Sequence, residues 1–184
     1  MKIKINSMKL IFIYRTFLFR FCTFETDNKD MKSIVKALNI KNRKQRITYV
    51  FDETIIVINN YYSEDLCMFK DGKCIVQREN NSNSFNGCCM RCPIVTEKGC
   101  PSDNITCKLV YCKKALGNMK LLKFKDIKIL KCFSISQRLI ILSGAFSTRE
   151  EVIKDLYYGL LYSVFRNFYK KIKSILAKVN LKKN

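Results

Sequence analysis

Histidine is absent from this chain of 184 residues. Its absence excludes Cys₂His₂ zinc sites, HExxH metalloproteases, Ser-His-Asp and Cys-His nucleophilic arrangements, and histidine general bases. Only 2 prolines and 6 glycines interrupt the chain, so long helices are favoured over a fold of many strands and turns. No GxGxxG or GxxxxGK[ST] loop is present to cradle a phosphate. Acidic residues are scarce, 15 against 35 Lys and Arg, giving a formal net charge of +20. Long apolar runs are missing too. The densest stretch, Leu10 to Phe24, reads LIFIYRTFLFRFCTF and is broken by Arg15 and Arg20. It is too short and too charged for a transmembrane helix. As a secretory signal it lacks both a sustained apolar run and a small-residue cleavage site.

Hydrophobic residues nevertheless make up 48% of the chain, enough to bury a core in one compact domain. The first thirty residues are basic and aromatic, a composition suited to a membrane surface. The plainer expectation is an extension outside the fold, with Met31 as the natural first residue. Residues 31–184 then form a single domain: a basic segment and helix at 31–64, a cysteine module at 65–112, and basic helices at 113–184. The charge excess draws such a protein toward nucleic acid or anionic lipid. Its richness in Lys, Asn, Ile, Phe and Tyr also fits an AT-rich coding bias, which needs no polyanion partner.

From Met31 to Arg46 six basic residues (Lys32, Lys36, Lys41, Arg43, Lys44, Arg46) meet no acidic one. Ile47, Val50, Phe51, Thr54, Ile55, Ile58, Tyr61 and Tyr62 then recur at steps of three and four, the stripe of an amphipathic helix. The β-branched run Thr54–Ile58 argues for a strand, but the period lasts too long for one. Lys113–Leu142 is again basic. Ser147-Thr148-Arg149-Glu150 has the form of a capping box with Ser147 at the N-cap. Val152, Ile153, Leu156, Tyr157, Leu160, Leu161, Val164, Phe165 and Phe168 follow as one continuous helical stripe, expected to pack against the core. A lysine-rich, solvated helix end completes the chain.

Eight of the ten cysteines cluster in 46 residues: Cys67, Cys74, Cys88, Cys89, Cys92, Cys100, Cys107 and Cys112. Residues 63–112 carry six basic and six acidic side chains, so the charge excess lies outside this module. Asp71-Gly72 has the form of a two-residue hairpin turn, which would set Phe69 opposite Cys74 and Cys67 opposite Val76. Cys89-Met90-Arg91-Cys92 is a CxxC, a spacing that lets two thiolates reach one ion. Cys107 and Cys112 flank Leu109, Val110 and Tyr111 at an expected short helix. An all-cysteine zinc site leads the readings. An iron–sulfur cluster also needs four thiolates, although the spacing matches neither ferredoxin pattern. Disulfides are the third reading, disfavoured by the poor export signal. Cys22 and Cys132 lie in apolar surroundings and read as buried thiols.

The strings Cys67-Met-Phe-Lys-Asp-Gly-Lys-Cys, Asn86-Gly-Cys-Cys, Lys98-Gly-Cys and Thr106-Cys-Lys-Leu-Val-Tyr-Cys carry a resemblance. Over roughly residues 41–168 the chain resembles cysteine-rich (cysteine-cluster) proteins of low-GC Gram-positive bacteria that have no assigned activity. The resemblance implies a cytoplasmic metal-binding protein. The expectation is therefore an α+β, mainly α fold in which amphipathic helices flank a small cysteine-rich loop and hairpin module. Its function would be that of a non-enzymatic binding module with zinc as cofactor, nucleic acid as partner through the basic flanks. A redox or iron–sulfur protein and a peripheral membrane protein are the alternatives.

Overall fold

Where apolar residues recur at helical spacing behind a polar capping residue, the chain forms helices that share one core. A computed structural model describes residues 1–62, 66–68, 70, 73–79, 103–110 and 116–181. The elements, in order, are strand β1 (Lys2–Lys4), helix α1 (Ile11–Ile13) and a π-helical turn (Tyr14–Leu18). Strand β2 (Thr23–Glu25) and helices α2 (Lys32–Asn39) and α3 (Arg43–Tyr61) follow. Two short helices, α4 (Ile75–Glu79) and α5 (Ile105–Lys108), lie in the cysteine segment. The last three are α6 (Ile135–Ser143), α7 (Arg149–Tyr158) and α8 (Leu160–Leu181). The fold is mainly α with one small sheet, as the patterning led us to expect.

Helix α3 is the central element. Asn42 caps it by accepting from the Gln45 N–H at 3.0 Å, and Ile47, Val50, Phe51, Thr54, Ile55 and Ile58 are all buried. The β-branched run sits within this helix because its 3.6-residue face finds a core, which outweighs local β preference. Thr54 becomes harmless inside by donating its hydroxyl to the Val50 carbonyl at 2.7 Å. Around α3 pack α2, α5, α7 and the tight turns of Lys128–Cys132. Those turns bury Ile129, Leu130 and Cys132, with Ile127 and Phe133 buried on either side, a contribution the basic pattern of 113–142 had concealed.

The first thirty residues belong to this core, which corrects the expectation of an extension outside the fold. Ile5, Ile11, Cys22 and Phe24 are buried among the residues of α2 and α3. Strands β1 and β2 pair in parallel, Ile3 opposite Phe24. The outer edge of β2 is closed by the Asn39 side chain, which donates to the Phe24 carbonyl and accepts from its N–H, both at 2.8 Å. Lys41 reaches back to the Cys22 carbonyl at 2.6 Å and to that of Phe19. No described helix is long and apolar enough to cross a membrane.

The long C-terminal stripe also differs from its expected form. The N-cap is Thr148, not Ser147: Thr148 accepts from the Glu151 N–H and Glu151 returns the bond to the Thr148 N–H. Glu151 rather than Glu150 stands three residues after the cap, so the box is shifted by one. The helix then breaks at Gly159, whose φ of 103° and ψ of −179° lie in a region open almost only to glycine. One continuous helix is therefore two.

Candidate functional site

At the Gly159 break α8 takes a direction of its own, and Asp155 decides which side faces the body. Asp155 is fully buried, near the end of α7. Its carboxylate accepts from Arg166 Nε at 2.8 Å and Nη2 at 2.5 Å, and from Ser163 Oγ at 3.0 Å. Arg166 Nη2 also reaches Ser147 Oγ at 3.3 Å, and Lys170 Nζ lies 2.5 Å from Glu151 Oε1. Burial opposes the Arg166 charge, but the hydrogen bonds and charge of Asp155 outweigh it and raise its pKa. Burial likewise pushes the Glu151 carboxyl up, yet Lys170, the Thr148 N–H and Arg166 together bring it below the usual carboxylate range.

Ser163, Arg166 and Lys170 stand at i, i+3 and i+7, on one side of the helix. That polar side is the one fastened inward. The apolar side is consequently turned out: Leu161, Val164, Phe165 and Phe168 are 77%, 56%, 70% and 63% exposed, and Tyr169, Ile175 and Leu176 are exposed too. Only Val152, Ile153 and Leu156, before the break, enter the core. The stripe that reads as core packing is thus core in its first half and surface in its second. Lys171 and Lys173 are exposed along the same helix, near opposite borders of the apolar arc at 100° per residue. Sequence reasoning missed Asp155, Ser163 and Arg166. Gly159, interrupting the stripe, was the available signal.

Measured against known protein families, curated proteins and solved structures, the chain matches none.

The cysteine segment is described only in part. Cys67 and Cys74 are half-buried on either side of a turn closed by reciprocal bonds between Lys70 and Lys73, both 3.0 Å. This is the pairing expected around Asp71-Gly72. The return strand is not formed, however: Ile75 N–H donates to the Cys67 carbonyl at 3.0 Å and α4 begins there. Cys107 lies in α5, half-buried. That helix is anchored by Asn104, a buried cap that accepts from the Thr106 and Cys107 N–H groups and donates to the Gly144 and Ser147 carbonyls at 2.7 and 2.8 Å. Cys88, Cys89, Cys92, Cys100 and Cys112 lie outside the described residues, and so does the CxxC. Among the described residues no three possible metal ligands come together. Cys22 and Cys132 are buried, and burial pushes the Cys132 thiol up to about 12 despite Arg15 and Arg46 nearby. It stays a neutral thiol at physiological pH.

Of the basic run at residues 31–46, Lys32, Lys36, Lys41, Arg43 and Lys44 are exposed, and several of these cations also lie against the protein's own groups. Lys36 lies over the Tyr49 ring at 5.0 Å, Arg43 over Tyr157 at 5.4 Å and Arg46 over Phe19 at 4.4 Å. Lys41 is spent on backbone carbonyls.

Proposed function

We propose that the protein is a peripheral membrane-binding module that docks on anionic lipid through the outward face of α8. The observation that carries this reading is the inverted attachment of α8, whose polar side is tied to a buried carboxylate. A helix with Phe and Leu on one side and lysines at its borders is the form that lies at a lipid interface. Its lysines, and the net charge of +20, complement anionic headgroups. Phe12, Phe17 and Phe21 add exposed aromatic rings near the N-terminus. Sedimentation with vesicles tests the reading. The protein should bind phosphatidylcholine vesicles containing phosphatidylglycerol, bind pure phosphatidylcholine weakly, and lose binding in the Phe165→Asp/Phe168→Asp variant. Equal vesicle binding by that variant would sink the proposal. So would a wild-type dimer that the variant makes monomeric, without lipid binding, because the face would then belong to a second copy. Salt-sensitive binding to a nucleic acid duplex with none to vesicles would return the basic flanks to first place.

A second reading concerns the cysteine segment. The Lys70–Lys73 turn, with Cys67 and Cys74 on its two sides, supports an all-thiolate structural zinc site completed by cysteines of residues 88–112. Thiolates are the ligands such an ion prefers. Protein purified without oxygen should be colourless and carry stoichiometric zinc, and chelation should lower its melting temperature. A brown protein would favour an iron–sulfur cluster instead, and metal-free protein of unchanged stability would end both metal readings.

A further inference from the structure

A cavity of about 250 Å³ opens at the N-terminus of α6, against the first turns of α3. Its charged lining side chains are Arg15, Arg43 and Arg46, joined by the polar groups of Ser134, Ser136 and Gln137, and no carboxylate lines it. Each guanidinium is positioned by neutral groups. Arg15 Nη1 donates to the Lys131 carbonyl at 3.1 Å and to that of Phe133. Arg46 donates to the Ile40 carbonyl at 3.0 Å, and aromatic rings hold Arg43 and Arg46 from the side. None of the three pairs with a carboxylate among the described residues.

Further like charge lies close by. Burial, then the charge of Arg138, lowers the pKa of Arg15. Burial first, with Arg43 and Arg20 adding, lowers that of Arg46. Arginine does not release its proton near neutral pH, so this repulsion persists as a cost to the fold until an anion offsets it. Three arginines lining one small space suit a ligand with several charged oxygens, which guanidinium groups grip in pairs. The start of α6, a nine-residue helix capped by Ser134, adds the positive end of its dipole. The volume falls below the roughly 300 Å³ at which drug-sized pockets begin, leaving room for a phosphoryl group and a small attached group.

We infer that this cavity binds a phosphomonoester dianion, held by Arg15, Arg43 and Arg46 at the N-terminus of α6. The ligand can come from solution, as inorganic phosphate or a small phosphate ester, or from a lipid headgroup ending in a phosphomonoester. The inference stands apart from the α8 proposal, since the cavity and the outward face share no residue.

Thermal unfolding of the full chain tests it, in phosphate against chloride at matched ionic strength. Phosphate should raise the melting temperature of the wild type by several degrees, saturably. Arg46→Gln should weaken phosphate binding by at least about tenfold, the expected loss of a charge-assisted contact. The shift is read against each protein's own melting temperature in chloride, because Arg46→Gln also loses the bond to the Ile40 carbonyl and the Phe19 contact. Identical wild-type melting in phosphate and chloride overturns the proposal without recourse to any variant. An undiminished phosphate shift in Arg46→Gln overturns it as well. Vesicles separate the sources. A preference for phosphatidic acid over phosphatidylglycerol, lost in Arg46→Gln, assigns the ligand to lipid; a phosphate shift without that preference assigns it to solution.

Discussion

Asp155 carries more of this structure than its single charge suggests. Its carboxylate is completely buried and accepts three hydrogen bonds from α8, so its desolvation is offset by a bidentate guanidinium and a hydroxyl. A buried ion pair of this kind is costly to break, because the remaining partner is left uncompensated. Asp155→Asn keeps the shape and removes the charge, and should destabilise the protein by about 3 kcal/mol in urea unfolding. A cost below about 1 kcal/mol would class the pair with exposed surface bridges and leave the outward orientation of α8 without its cause. Neither Asp155 nor Arg166 stands out in the sequence, since an acidic and a basic residue eleven positions apart look like ordinary solvated charges. Their burial depends on the chain reversing at Gly159.

At the scale of elements, some helices were legible and others were not, for separate reasons. Helix α3 could be read because its apolar period matches its buried face along its length. The helix after Thr148 was legible in composition but not in continuity. Periodicity alone cannot tell a stripe that packs from one that stays in solvent, and α7 and α8 together contain both. Gly159 divides them: space exists for a side chain there, so it is the positive φ that reserves the position for glycine. The Lys70–Lys73 pairing was expected from a two-residue signature, whereas the switch to helix at Ile75 was not, because Ile75 and Val76 favour strands locally. The turns of Lys128–Cys132 escaped notice for another reason. Their apolar residues are interleaved with lysines that point outward, and no regular period marks them.

For the whole molecule, the decisive finding is the place of residues 1–30. Four of their apolar side chains are buried in the shared core, and Ile5, Ile11 and Phe24 each contribute about 1.5–3 kcal/mol. Arg15 bonds across to the segment before α6, tying the first helix to the second half of the chain. Removing residues 1–30 should therefore cost roughly 6 kcal/mol or more, comparable to the whole stability of an ordinary domain. The truncated chain should lack a cooperative urea transition. A truncated protein with an unchanged midpoint would restore the view of this segment as an appendage. The arginines near α3 are held in place by rings and carbonyls and keep their charge, so Arg43 and Arg46 can both pack against the fold and line the cavity.

The sequence by itself determined the mainly helical character, the lack of any histidine-based chemistry, the course of α3 and the concentration of cysteines in one neutral segment. These follow from composition and local period, which act over a few residues. Tertiary structure alone decided that the N-terminal segment is core, that the last apolar stripe divides into a buried and an exposed half, and that Arg15 shares one cavity with Arg43 and Arg46. Each depends on contacts between residues far apart in the chain, where burial and charge are set by what the fold brings alongside.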